Sequence, residues 1–371
     1  MRKVIIIGGG LAGLVSAICL RKAGLPVTLI EKKKYPFHRV CGEYISNEVR
    51  HFLERLDIFP EHLQPSLITR LQLTSTNGKS AFLPLEMGGF GVSRYEFDHF
   101  LYQKATAMGV EFILQRQVGA VKFVNNSFCV EVEGASDMEA DVVIGAFGKR
   151  SRLDRQMGRK FLEKRSPYIG VKHHIEYDGH PDDLIALHNF KDGYCGINKV
   201  EGNKYNLCYL SARSNLSASS GIPGMEESVL SQNPYLKEIF TEARFLFKKP
   251  EVINEISFET KEPVEQHVLM CGDAAGMITP LCGNGMAMAI RSAKILSEEV
   301  TGYFNDHRSR EKLEHNYSRR WRELFEKKLW KGRQIQKLFG SEIASNLAVL
   351  IAKRSRLIAD FLVRQTHGDT F

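Results

Sequence analysis

The chain has 371 residues, 43% hydrophobic and 25% charged, with a formal net charge of +8. That length buries a sizeable core and suggests two lobes sharing an interface, and the ordinary composition excludes collagen-like, low-complexity and disordered classes. No apolar run reaches the roughly 18 residues of a membrane-spanning helix. The seven cysteines, Cys19, Cys41, Cys129, Cys195, Cys208, Cys271 and Cys282, are too scattered for a C-x-x-C redox pair or a zinc ribbon, so reduced thiols in a cytoplasmic protein are expected.

Met1-Arg2-Lys3 before an apolar run imitates a signal peptide, but glycines interrupt it and no small-residue cleavage site follows. Val4–Ile7 is instead read as a parallel strand buried on both faces. Gly8-Gly9-Gly10-Leu11-Ala12-Gly13 then carries the G-x-G-x-x-G spacing. Gly8 allows the tight turn, Gly10 lets a pyrophosphate approach the backbone, and Gly13 lets the next helix pack on the strand. Leu11 and Ala12 open that helix, whose free N–H groups face the pyrophosphate. Val27–Glu31 is a second strand, and Glu31, 18 residues after Gly13, stands where an acid accepts ribose hydroxyls. Dinucleotide binding follows, with FAD or NAD favoured over a 2′-phosphate.

The next stretch, Lys32 to Ser46, is broken by Pro36 and Gly42 and leads into a helix near Asn47–Leu56, capped by Ser46 with Glu48 and Arg50 on its polar side. Lying after a parallel strand, it borders the ligand crevice. The run Pro36-x-x-x-Val40-Cys41-Gly42-Glu43-x-Ile45-Ser46 resembles the P-x-x-x-x-C-G-E-x-[LI]-S loop of geranylgeranyl-reductase-like flavoproteins, a branch of the para-hydroxybenzoate-hydroxylase-type FAD-dependent oxidoreductases. The resemblance implies bound FAD, electrons from NADPH or NADH, and either hydroxylation or double-bond reduction. It places Cys41 at the flavin, with Lys32, Arg39 and Gly42 among the cofactor-binding residues. Packing of a buried thiol is the competing reading for Cys41.

Leu67–Gly91 alternates around Asn77-Gly78, a hairpin signal. Arg94 opens a helix with Phe97, Leu101 and Ala105 on its apolar face. The family's R-x-x-F/L-D-x-x-L pattern, matched by Arg94, Asp98 and Leu101, implies that Arg94 contacts FAD, and an arginine fork suits phosphate or a flavin oxygen. Short strands follow at Val110–Val118, Ala120–Val124 and Phe128–Glu133, and Val118 is carried over as a cofactor-binding position. Asp141–Ala146 is another buried strand. It ends at Phe147-Gly148, where relatives usually carry an Asp in place of Phe147; this departure bears on how the nicotinamide is handled.

Ser166–Glu259 alternates polar and apolar residues around a helical piece near Met225–Phe240 and is assigned to a substrate lobe. Gly193-Tyr194-Cys195-Gly196-Ile197-Asn198-Lys199 lacks the Trp and Pro of the G-Y-x-W-x-F-P motif that relatives often carry. His173 and His174 fall on opposite faces of a strand and cannot chelate one metal, and no metal site is expected. Val268–Gly276 ends a strand in Gly272-Asp273. Pro280-Leu281-Cys282-Gly283-Asn284-Gly285-Met286 then opens a helix, which matches the family's G-D-A-A-G and P-x-x-G-x-G-[IM] segments. Asp273 would accept from the ribityl chain. The N–H groups around Gly283, Asn284, Gly285 and Met286 would favour negative charge on the reduced flavin ring. With Cys41, they form the expected catalytic environment, without an assigned side-chain acid or base. The helical tail, Thr301–Phe371, has 15 Lys and Arg against 8 Asp and Glu, a local +7. It packs on the cofactor lobe or, alternatively, rests on an anionic membrane. No nucleic-acid reading module accompanies this charge.

The expected fold is α/β with α+β elements. A Rossmann-like FAD-binding domain (1–66, 93–160 and 265–300) is interleaved with a β-sheet substrate domain (67–92 and 161–264) and followed by C-terminal helices (301–371). The favoured function is an NAD(P)H-dependent monooxygenase of a hydrophobic or aromatic small molecule, working through a flavin C4a-hydroperoxide. Saturation of prenyl or lipid C=C bonds is the alternative, and a flavin-binding electron carrier the non-enzymatic one. Halogenation is disfavoured because the W-x-W-x-I-P motif is absent, Trp321 and Trp330 being the only tryptophans. The oligomeric state stays open.

Overall fold

The computed structural model describes residues 2–164, 166–254, 256–279, 283–336, 341–354 and 369–371. Its first sheet has six strands, in the order 264–265, 268–270, 142–145, 4–7, 27–31 and 111–114. All its neighbours are parallel except the 264–265 edge. Val4, Ile5 and Ile6 are fully buried, each contributing about 1.5–3 kcal/mol by leaving water. The helix Leu11–Lys22 packs so closely on this strand that a Cβ on Gly13 would lie 2.0 Å from the Gly8 carbonyl oxygen. Gly8 itself has φ +107°, which side chains rarely tolerate.

The second sheet has nine strands. Along its main path these are 244–245, 168–176, 205–212, 193–199, 184–190, 66–74, 80–91 and 44–46, with 251–254 paired to 168–176. The hairpin expected at Asn77-Gly78 joins Ser66–Thr74 to Ser80–Gly91. One face of the sheet, including Ile169, Ala186, Ile197 and Leu207, is sealed by Met225, Leu236 and Ile239 from the covering helices. The other face looks toward the nucleotide lobe. A smaller sheet of 118–124, 127–132 and 138–140 completes the β structure.

Three local readings change in the fold. The stretch after Ser46 is a 3-10 turn, Asn47–Val49, followed by the helix Arg50–Arg55. Glu48, read as a polar-face residue, is 1% exposed, because its carboxylate accepts from Asn284 Nδ2 at 3.3 Å. Tyr44–Ser46 pairs with Gly89–Gly91, so part of the early cofactor segment belongs to the second sheet.

The expected boundary at residue 300 falls inside one helix, Gly285–Asn305. The following helix, Arg310–Gln336, buries Leu313, Tyr317, Trp321, Phe325 and Leu329 in the same core as the first strand. The helix Glu342–Arg354 lies by the hairpin, with Thr76 N donating to Ser345 Oγ at 3.4 Å. Ile335's side chain and the apolar stretch Leu357–Val363 lie outside the described residues.

The two lobes meet on Glu43, which is 0% exposed. Its Oε1 accepts from Lys172 Nζ at 2.5 Å and from Arg94 N at 2.7 Å, and its Oε2 pairs with His174 Nε2 at 2.7 Å. Glu43 has φ +52°, a conformation costing about 1–2 kcal/mol in an L-residue. Three charge-assisted contacts, each about 1.5–3 kcal/mol, outweigh that cost. Burial alone would raise the Glu43 carboxyl, but Lys172 and His174 hold it at about 2. Burial lowers His38 to about 4 and His188 to about 3 from 6.5. Both imidazoles stay neutral in the fold while the unfolded chain takes up protons, so stability should decline as pH falls from 6.5 toward 4. A further loss should begin below about 4.5, the ordinary Glu value, because the unfolded chain's carboxyl then takes up a proton that the folded Glu43 refuses until about 2. Urea midpoints measured across this range check both steps, and a flat profile from pH 7 to 4 would refute the first.

Candidate cofactor site

The turn from the first strand into the Leu11–Lys22 helix makes the first part of the site. Gly10 caps that helix without a side-chain bond, leaving N–H groups at the N-terminus available to an anion. Above Gly10, the nearest atoms to a notional Cβ are guanidinium atoms of Arg39 and Arg94 at 3.7 Å. This is an open cradle faced by two cations. Arg94 forks onto Asp98 through two 2.7 Å bonds, and Arg39 donates to the same carboxylate at 3.2 Å. The Asp98 contacts hold both guanidinia in place, so a diphosphate would meet a preset pair.

Glu31 ends the second strand, and its Oε2 accepts from Gly9 N at 2.7 Å while Oε1 accepts from Lys33 N at 3.0 Å. The carboxylate thus braces the glycine turn from the position where a ribose would sit. Tyr35, which the motif reading passed over, donates to the Gly9 carbonyl at 2.5 Å. Lys32 is exposed at the rim. Val118 is 4% exposed, so its main chain is what a cofactor could meet.

The third segment closes on the first. A Cβ on Gly272, which has φ +63°, would lie 2.8 Å from Ala12 Cβ, so the Gly272-Asp273 turn sits against the first helix. Asp273 is half-buried, and its main-chain carbonyl accepts from buried Lys261 Nζ at 2.8 Å. Lys261 also donates to the Lys149 carbonyl at 2.8 Å, fixing the Phe147-Gly148-Lys149 turn beside the Asp273 turn. Phe147 and Gly148 are partly buried there, Gly148 with φ +84°. Burial lowers the Lys261 amine to about 8, with Asp273 and Asp154 opposing.

Asn284 precedes the Gly285–Asn305 helix as its N-cap without a side-chain cap bond, and Met286 is buried behind it. A Cβ on Gly283 would lie 3.4 Å from Tyr44 Cδ1. The turn therefore faces the strand that follows Cys41-Gly42-Glu43. Pro280 and Cys282 lie outside the described residues. Gly42 is exposed and Cys41 half-buried, their carbonyls accepting from Asn206 Nδ2 at 2.9 and 3.2 Å. Glu43's carbonyl accepts from Asn198 Nδ2 at 3.4 Å.

Of the expected residues, Gly8, Gly10, Leu11, Ala12, Gly13, Glu31, Arg39 and Arg94 gather at the glycine turn, Gly272-Asp273 sits against Ala12, Gly283 faces Tyr44, and Cys41 and Gly42 lie against Asn206 of the second sheet. An open glycine cradle under two arginines, an uncapped helix and a carboxylate at the strand end fit a dinucleotide with an unsubstituted ribose. Lys172, His174, Asn198 and Asn206 were not among the expected residues. Their signal was faint: Lys172 and His174 share one face of the strand Tyr168–Glu176, where a lysine turned inward demands a partner. His173, on the opposite face, instead pairs with Glu226 at 2.9 Å.

Among known proteins, the chain is 27% identical over 354 residues to digeranylgeranylglycerophospholipid reductase 2 of Methanopyrus kandleri, covering 91% of this chain and 86% of that one. It is 25% identical over 320 residues to the putative FAD-dependent monooxygenase YetM of Bacillus subtilis, covering 82% and 85%. Conditioned medium factor receptor 1 of Dictyostelium discoideum is 25% identical over 342 residues, covering 82% of this chain but only 64% of its own length. The fold matches that of CmlS, a flavin-dependent halogenase, with a TM-score of 0.80 at 21% identity, covering 99% and 72%. A geranylgeranyl bacteriochlorophyll reductase-like protein from Thermoplasma acidophilum matches with a TM-score of 0.78 at 18% identity, covering 100% and 97%. Residues 1–329 match the family described as FAD binding domain; the chain belongs to that family and is an FAD-dependent oxidoreductase.

Proposed function

We propose that the protein is an NAD(P)H-dependent monooxygenase acting on a hydrophobic, uncharged small molecule. Bound FAD would supply the two-electron chemistry, and the chain supplies position, charge and exclusion of water. The observation that carries this reading is that the groups around the Cys41–Glu43 loop are paired or uncharged. Glu43 and Lys172 neutralise each other, burial keeps His38 uncharged down to about pH 4, and burial pushes the Cys208 thiol up to about 12. Such surroundings suit an apolar molecule and shed water from a reactive centre. No second glycine-rich nucleotide turn occurs among the described residues, which favours a nicotinamide that docks transiently.

Saturation of C=C bonds is the second reading. It is favoured by Cys41 beside the cleft, where a thiol could pass a proton, and by the reductase name of the Methanopyrus relative. Turnover of a phenol and of an unsaturated polyprenol with NADH or NADPH under ¹⁸O₂ separates the two. A product that gains one labelled oxygen supports the monooxygenase. A product that gains two hydrogens and no label moves the assignment to the reductase.

We further propose that a lipophilic substrate is met at a membrane surface. The helix Glu342–Arg354 exposes Ile343, Leu347 and Leu350 at 83%, 54% and 43%, spaced four and three residues apart ahead of Lys353 and Arg354. An apolar stripe with basic neighbours favours an anionic bilayer. No helix among the described residues is long and apolar enough to cross a membrane. The protein should sediment with anionic liposomes at low salt and be released at high salt; remaining in the supernatant at low salt would refute the contact.

A further inference from the structure

The carboxyl ends of the parallel strands 4–7, 142–145 and 268–270 stand side by side, and the turns that leave them meet in pairs. The first meets the second at Gly8, where a Cβ would lie 2.4 Å from the Ala146 carbonyl oxygen. It meets the third at Gly272, where a Cβ would lie 2.8 Å from Ala12 Cβ. The second and third turns are joined differently. The Phe147 ring lies over Gly145, with Cε1 2.8 Å from where a Cβ would stand, and brings no polar group to the joint. Lys261 does so instead, from a segment that precedes the 264–265 edge strand and belongs to neither turn. Its Nζ donates to the carbonyls of Lys149 and Asp273, both at 2.8 Å.

Lys261 is 5% exposed, and its Nζ lies 4.2 Å from the centre of the Phe161 ring. The charged groups facing it are Asp273, Asp154, Arg159 and Lys149. Asp154 has no exposed surface and is taken by Arg159 at 2.8 Å. Arg159 also donates to the carbonyls of Ala274 and Glu262, at 2.9 and 3.0 Å. Two buried cations thus share one buried carboxylate, and what the Lys261 ammonium touches is two carbonyls and an aromatic face. An ammonium so placed is desolvated at a cost to folding. Burial accordingly brings its proton loss down to about 8, close to the pH at which proteins work.

We infer that Lys261 is a positioning residue whose ammonium fastens the Phe147–Lys149 turn to the Asp273 turn, and that FAD affinity therefore depends on a proton held at Lys261 Nζ. This rests on the reading of both turns as cofactor segments and adds to it a control by pH. The ammonium is a charge-assisted donor to both carbonyls at once, whereas the neutral amine donates more weakly and loosens the joint. The sign follows from linkage. A form that binds FAD better when protonated keeps its full affinity below the pH at which the amine loses its proton, and loses affinity as the pH rises past it.

The test follows the dissociation constant of FAD from the loaded, full-length protein between about pH 6.5 and 9.5, read on dilution from the fluorescence of released FAD. In the wild type the constant should be level up to about pH 7.5 and rise at least about fivefold by about pH 9.5. Lys261→Met should bind FAD about tenfold more weakly at neutral pH and show no rise. Lys261→Arg, charged throughout this range, should hold FAD near the wild-type affinity and lose the rise as well. Should Lys261→Met not fold, the wild-type and Lys261→Arg profiles decide. A level wild-type profile would overturn the inference, as would a rise that persists in either variant, since a packing role would weaken FAD without touching the pH dependence. Each of these failures leaves the cofactor segments standing while the wild type retains FAD. Loss of FAD from the wild type at every pH would count against those segments instead.

Discussion

A carboxylate with no exposed surface joins the two lobes, and most of the site's geometry depends on it. Glu43 receives the Lys172 ammonium, the His174 ring and the main-chain N–H that opens the Arg94 helix. It belongs to the nucleotide lobe's loop, while Lys172 and His174 belong to the second sheet. Removing either charge would strand the other in a low-dielectric interior, which is far costlier than never having had the pair. The loop's left-handed turn at Glu43 and the carbonyls of Cys41 and Gly42 are thereby fixed against the sheet.

A parallel logic governs the phosphate cradle. Arg39 and Arg94 would repel each other over Gly10 without Asp98, whose side chain is 2% exposed and accepts from both. Glu31 then ties the glycine turn to Arg39 at 3.4 Å. Charges in this region are paired before any ligand arrives, so a diphosphate would enter an ordered site and little side-chain entropy would be lost. The junction on Glu43 uses the same pairing to a different end: its buried ions cancel each other between the lobes.

Much of this was legible in local patterns. Val4–Ile7, the glycine spacing and Glu31 defined one strand–helix–strand unit because each constraint there acts within about 30 residues. The four-residue spacing of Phe97, Leu101 and Ala105 placed a helix whose apolar face is fully buried. The Glu43 cluster was not legible, because Lys172 and His174 lie 129 and 131 residues away and pairing at that range leaves no periodic trace. Glu48 looked like a surface residue for the same reason, its partner Asn284 being 236 residues away. Tyr44–Ser46 is too short to announce a strand and forms one because Gly89–Gly91 offers an open edge. The tail's expected packing on the cofactor lobe was legible too, since Trp321 and Phe325 recur at core spacing and complete the core of the first lobe.

The most direct test of the junction's role is a double-mutant cycle on Glu43→Gln and Lys172→Met, following urea stability and FAD affinity together. Each single change should cost about 3–5 kcal/mol, because it strands a buried charge, and should weaken FAD binding. The double variant should recover most of the stability yet still bind FAD less tightly, since nothing then holds the Cys41–Glu43 loop to the sheet. Single variants that unfold and bind FAD like the wild type would contradict the central place given to this pair.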